Sequence, residues 1–143
     1  MTEDTGTGAD RPRPIVQTES AAYWDGARRR RLVLQRCRDC AIWIHPPRAI
    51  CGVCQCAELV PTEASGSGSI FSYSVMHLRG VPGFDDQVPY AVVLVELAEQ
   101  SGLLAVGHVV DCSPSELAVG MPVHVTFEDL GDVVLPQWKR ADP

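Results

Sequence analysis

Two short cysteine motifs constrain this chain more than anything else in its 143 residues. Cys37-Arg38-Asp39-Cys40 and Cys51-Gly52-Val53-Cys54 are C-x2-C pairs separated by ten residues. Each pair can form a turn that points two sulfurs at a common centre, and four thiolates at tetrahedral distance make a structural zinc site. A closed site of this kind has no open position for water, so the ion is expected to fold the segment and take no part in catalysis. The interval suits a ribbon whose two knuckles are joined by one hairpin. Ligand type alone also admits iron in the same cage. Dithiol redox chemistry fits less well, because it needs one reactive pair beside a thioredoxin-like βαβ pattern. Cys56 is a possible substitute ligand with poorer spacing, and Cys112, which has no partner pattern, reads as a small core residue.

The redox argument depends on compartment. No apolar run approaches the roughly 18 to 20 residues needed to span a bilayer, and Met1-Thr2-Glu3-Asp4 opens no secretory leader. The expectation is a cytoplasmic protein with reduced thiols and no membrane contact, which favours metal over disulfides. With 45% hydrophobic and 21% charged residues, the chain can bury a modest core. Charge is divided unevenly along it. Residues 1–56 carry nine Arg against six acids, whereas residues 57–143 carry three basic groups against twelve acids. Six Arg fall between Arg28 and Arg38, dense enough to attract phosphate or an acidic surface, although such a run also serves as a solvated face. The acidic second half disfavours nucleic acid as a partner.

Residues 1–17 are poor in apolar groups and read as a disordered tail. Residues 18–31 read as a helix with Thr18 at the N-cap, too short to stand alone, so Tyr23 and Trp24 must pack on this chain or on another. Residues 32–64 hold the cysteine ribbon, and residues 65–143 follow as a β domain entered through Ser65-Gly66-Ser67-Gly68. Alternation places strands at Ile70 to Leu78, Tyr90 to Leu97, Leu103 to Val110, Val123 to Glu128 and Val133 to Trp138, with one turn at Ser113 to Leu117. Five short strands suit a small barrel, because closure removes exposed sheet edges. An OB-fold is the first candidate and an SH3-like barrel the second.

Neither G-x-S-x-G nor G-x4-G-K-[ST] occurs. His77, His108 and His124 lie on or beside expected strands, where a hydrogen-bonded barrel histidine is the simpler reading. The long loop from Gly80 to Pro89 holds Asp85, Asp86 and Phe84, and reads as a contact surface with Phe84 as an exposed anchor.

An ordered array of short pieces then points to a family. It comprises Tyr23-Trp24-Asp25-Gly26, Leu34-Gln35-Arg36-Cys37-Arg38-Asp39-Cys40, Pro46-Pro47-Arg48 before Cys51, Ser65 to Tyr73, Pro82-Gly83-Phe84, Pro89-Tyr90-Ala91 and Val119-Gly120-Met121-Pro122-Val123. Over about residues 18 to 138 the sequence resembles the acyl-CoA-associated zinc-ribbon and OB-fold family known as domain of unknown function thirty-five. The knuckles depart from it in carrying Ala41 and Gln55 where glycine is frequent, and Gly52 where proline is frequent.

The resemblance implies a mainly β fold with an N-terminal helix, a rubredoxin-like zinc ribbon and a five-stranded OB-fold barrel. It implies a non-catalytic subunit whose partner, a thiolase-like enzyme of the lipid-transfer-protein, retro-aldolase type or a hotdog enoyl-CoA hydratase, carries the reaction, including in steroid side-chain degradation. Within it, Arg28, Arg29, Arg30, Arg31 and Arg48 would meet coenzyme A phosphates or partner acids, and Tyr23, Trp24 and Phe84 would anchor the interface. The rivals are a single-stranded nucleic-acid module stacking bases on Phe71 and Tyr73, and an independent enzyme using His77 or the Asp85 and Asp86 loop.

Overall fold

Hydrogen bonding settles where the first helix starts. The structure, a computed structural model, describes residues 11–141. Helix α1 spans Ala21–Arg28, and the Ser20 hydroxyl, bonded to the backbone of Gln17, closes a turn just ahead of it. The expected start at Thr18 is therefore early, because that hydroxyl competes with helical pairing over residues 18–20. Tyr23 on α1 packs against the main core, so the short helix draws its stability from this chain.

Next come β1 (Val33–Cys37), β2 (Trp43–Ile44) and β3 (Leu59–Glu63), an antiparallel three-stranded sheet in the order β2-β1-β3. Pro61 stands on β3, an edge strand, where a missing N–H breaks no outer ladder. The ribbon's own buried cluster is small: Cys37, Ile44 and Cys51, with Ile42, Cys56 and Leu59 packed around them.

Five further strands follow: β4 (Ser67–Met76), β5 (Tyr90–Leu97), β6 (Leu104–Gly107), β7 (Pro122–Asp129) and β8 (Val134–Arg140). Their order is β6-β5-β4-β7-β8, all antiparallel. The sheet curls on itself until Val109 meets Trp138 in a parallel bridge, with Trp138 N donating to His108 O and Val110 N to Trp138 O, both at 2.8 Å. One strand can serve both halves of the barrel because the register of β4 shifts between Ile70 and Ser72, a bulge that bends it at Phe71. This is the OB-fold arrangement. Along β5 the alternation turns Ala91, Val93, Val95 and Leu97 inward, around the nearly inaccessible Trp138, Ile70 and Val123. A β-carbon at position 107 would lie 2.9 Å from Trp138 Cδ1, so only Gly107 lets the indole close this end. Leu32 and Leu34, entering from the ribbon side, belong to the same buried cluster.

The third strand is shorter than alternation suggests, because residues 108–110 leave β5 and pair with β8 instead. Of the expected tail, residues 1–10 lie outside the described residues. The start of the remainder is held to the barrel, Arg11 pairing with Glu128 at 2.7 Å and Arg13 with Asp132 at 3.1 Å, while residues 15–17 are exposed. Ion pairs achieve there what low apolar content could not. No helix among the described residues is long and apolar enough to cross a membrane.

Candidate metal centre and docking surface

The two C-x2-C turns adopt one geometry. In the first, Cys37 N donates to Ile42 O and Ala41 N to Cys37 O, both at 2.9 Å. In the second, Cys51 N donates to Cys56 O at 2.9 Å and Gln55 N to Cys51 O at 3.0 Å. The fifth position of each, Ala41 and Gln55, takes a left-handed backbone, with φ of 62° and 64°. That is the conformation glycine adopts without strain, so the two departures from the family pattern carry a backbone cost.

The turns bring Cys37 Sγ to 3.5 Å from Cys54 Sγ and Cys40 Sγ to 3.7 Å from Cys51 Sγ, with all four sulfurs within 4.8 Å of one another. Tetrahedral zinc with Zn–S bonds of ~2.3 Å needs sulfurs about 3.8 Å apart, so the donor set fits the ion. Thiol acidity agrees. Donation from the Cys40 amide draws the Cys37 thiol down to about 6, and the amides of Cys54 and Val53 lower that of Cys51. The Cys56 amide favours the Cys54 thiolate, yet hydrogen bonding with neighbouring sulfurs, together with burial, pushes Cys54 up to about 12. Cys40 is raised in the same way. Four like charges cannot gather unaided, and a dication lets all four ionise. Cys56 stands outside the cluster, its sulfur accepting from Glu58 N at 3.3 Å.

The Arg48 side chain lies beside the second knuckle. Its Nη1 would lie 3.0 Å from a β-carbon on Gly52, which sets the guanidinium over the second knuckle. Gln35 holds this segment, accepting from Arg48 N at 2.7 Å and donating to Arg48 O at 2.9 Å. Gln100 does the same between ribbon and barrel, accepting from Trp43 N at 2.9 Å and donating to Trp43 O at 3.0 Å. Neither glutamine stands out in the sequence, since a side chain imitating a strand leaves no period.

The arginine run marks the end of α1. Arg31 N donates to Gly26 O and Arg30 N to Ala27 O, a Schellman closure with Arg30 left-handed at φ 60°. The chain turns there, and three guanidinium groups part: Arg29 pairs with Asp25, Arg30 with Asp129 and Arg31 with Glu63. Arg29, Arg30 and Arg31 are thus spread over three different carboxylates. Arg28 and Arg48 have no carboxylate partner among the described residues. Tyr23 is turned inward, its hydroxyl pushed up to about 12 by burial, with Trp24 edge-on at 4.8 Å and half-buried.

Phe84 is not the exposed tip expected of it. Its ring lies 5.3 Å from Tyr90 and 6.0 Å from His108, and the Arg11 guanidinium covers it at 5.0 Å. The cause is a long-range contact from a segment of low apolar content. His108 is the expected hydrogen-bonded barrel histidine, donating from Nδ1 to Ala91 O at 2.9 Å, and burial lowers its pKa. Asp85 and Asp86 are exposed, with Asp85 accepting from Gly80 N at 2.6 Å.

Comparison with known proteins agrees with this geometry. The ChsH2 rubredoxin-like zinc ribbon domain matches residues 24–59, and the ChsH2 C-terminal OB-fold domain matches residues 61–128. A DUF35 domain-containing scaffold protein of Methanocaldococcus jannaschii is 35% identical over 117 residues, covering 78% of this chain and 81% of that one. This chain belongs to the DUF35 family.

Two other relatives are longer. A probable enoyl-CoA hydratase alpha subunit of Thermomonospora curvata is 37% identical over 93% of this chain, and a 3-oxo-4,17-pregnadiene-20-carboxyl-CoA hydratase alpha subunit of Mycobacterium tuberculosis is 34% identical over 89%. The chain spans about two fifths of their length, 41% and 39%. Among solved structures of DUF35 proteins, a chain of the Ltp2-ChsH2(DUF35) aldolase superposes with a TM-score of 0.82 at 35% identity, covering 91% of this chain and all of that one. The zinc-ribbon match includes all four clustered cysteines, which form a structural zinc site.

Proposed function

We propose that this DUF35 chain is a non-catalytic accessory subunit of an acyl-CoA-processing complex, acting in the cytoplasm. It docks on an enzyme that carries the reaction, a thiolase-like retro-aldolase or an enoyl-CoA hydratase, and helps enclose the CoA-linked substrate. The observation that carries this reading is the likeness to a chain of the Ltp2-ChsH2(DUF35) aldolase, over 91% of this chain and all of that one, at a TM-score of 0.82. The scaffold and alpha-subunit names of its relatives support it, and the pregnadiene-carboxyl-CoA hydratase supports a steroid or lipid side chain as the substrate class.

Within this reading, Arg28 and Arg48 are the guanidinium groups best placed to meet CoA phosphates or acids of the partner, since no carboxylate among the described residues pairs with them. Arg29, Arg30 and Arg31 sit in exposed pairs worth little and can exchange onto a partner. Trp24 supplies apolar contact beside them, while Tyr23 positions it from below.

Affinity isolation of the chain from its host tests the proposal. The expected result is co-purification with an acyl-CoA enzyme, weakened by Arg28→Ala together with Arg48→Ala at unchanged zinc content. Turnover of an acyl-CoA ester by the lone chain would overturn it. A single-stranded nucleic-acid reading draws on Phe71 and Tyr73, 51% and 37% exposed on β4. Salt-sensitive binding to an oligonucleotide would favour that alternative, against the twelve acids of residues 57–143.

A further inference from the structure

The segment ahead of α1 reads Arg11-Pro12-Arg13-Pro14 and lies between the Phe84 loop and the β7–β8 hairpin. Among the described residues no backbone hydrogen bond ties 11–16 to the barrel. Pro12 and Pro14 have no N–H to give, and their fixed φ keeps the segment extended. Side chains hold it instead. Arg11 is seated deeply, its side chain 10% exposed, with Nη2 donating to Glu128 Oε1 at 2.7 Å and the guanidinium over the face of Phe84. Arg13 reaches Asp132 and also donates to Arg11 O at 2.9 Å. Gly83 admits this close approach, since a β-carbon there would lie 2.7 Å from the Arg11 backbone.

Arg11 is one of the residues lining a cavity of about 270 Å³, together with Phe84, Tyr90, His108, Glu128 and Gln137. Gln137 is 5% exposed, and its Oε1 is taken by His108 N at 2.9 Å. An aromatic face with a carboxylate at its edge matches a guanidinium, which stacks and forks at once, better than it matches an ammonium. The surroundings are acidic: Asp85 and Asp86 are exposed on the same loop, and residues 57–143 hold twelve acids against three basic groups.

We propose that the seat between the Phe84 face and Glu128, at the margin of this cavity, is a docking site for an arginine-bearing segment of the partner enzyme, and that the Arg11-Pro12-Arg13-Pro14 strap occupies it in cis until the partner displaces it. The proposal rests on the reading of the chain as a docking subunit. Arg11 itself shows the chemistry the pocket accepts. Exchange breaks the Arg11–Glu128 and Arg13–Asp132 ion pairs and the stacking of Arg11 on Phe84, contacts that an incoming arginine segment can make in turn. A tethered ligand acts at an effective concentration on the order of millimolar, so a free peptide competes poorly while the strap is in place.

The test uses the zinc-loaded full chain and the peptide acetyl-Arg-Pro-Arg-Pro-amide, with its lysine counterpart, followed through the ring NMR signals of Phe84 and His108. A chain carrying Arg11→Ala and Arg13→Ala should bind the arginine peptide at least about tenfold more tightly than the unaltered chain. Adding Glu128→Gln should cancel that gain, and the lysine peptide should bind several-fold more weakly. Equal affinity of opened and unaltered chains, or equal binding of the two peptides, would overturn the proposal. Should the opened chain fail to fold, the unaltered chain still decides: millimolar arginine peptide should shift both rings, and no shift refutes the site. No enzyme is present in these mixtures, so their failure is distinct from a failure to co-purify.

Discussion

The ribbon and the barrel are both β structures of one small chain, yet different forces hold them. The barrel closes over a continuous buried cluster that runs from Ile70 through Val93, Val95 and Val123 to Trp138. The ribbon buries Cys37, Ile44 and Cys51, and two of those are metal ligands. Apolar burial at ~25 cal/mol per Å² can sustain the first and cannot sustain the second, so the ion replaces a core. The comparison predicts that each half fails for its own reason.

The largest effect should come from the metal. Structural zinc contributes on the order of 10 kcal/mol or more of folding free energy to small ribbons. Chelation, or Cys37→Ser, should melt residues 35–63 while the methyl signals of Val93 and Val95 stay dispersed in NMR spectra. Simultaneous collapse of both halves would show that the contrast is mistaken. Trp138→Ala should do the reverse, costing about 3–5 kcal/mol in thermal melts while zinc remains stoichiometric by elemental analysis.

A smaller perturbation probes the joint. Gln100→Ala removes both bonds to the Trp43 backbone and should cost about 1–3 kcal/mol. Calorimetry should then resolve one transition into two, and an unsplit, unshifted transition would show that the glutamine couples nothing. The smallest expected change is a gain. Ala41→Gly and Gln55→Gly relieve left-handed strain of about 1 kcal/mol, partly offset by the freedom glycine has when unfolded. Zinc affinity measured against a competing chelator should rise roughly twofold for each.

What the sequence disclosed follows the same division. The cysteine spacing located the metal site to the residue, because ligand geometry is local. Alternation located the strands within a few residues, since Val93 and Val95 face inward by period alone. Three things were illegible for a common reason, that they depend on polar side-chain contacts, one of them local and the others between distant residues. Ser20 delays the helix by bonding back to Gln17. Gln35 and Gln100 imitate strands. Arg11 reaches across the fold to Glu128 and Phe84, drawing inward a ring that loop position alone makes look exposed. Hydropathy registers none of these.

Strand β1 has one further consequence. Leu32 and Leu34 end among the barrel's buried side chains, and three residues beyond Leu34 the same strand delivers Cys37 to the metal. A transplant that exchanged ribbons between relatives at residue 60 would keep every ligand and still leave foreign leucines to fit an unfamiliar interior. Chimaeras of these proteins should therefore retain the host's residues 32 to 34, and choose their crossover by what the strand carries inward.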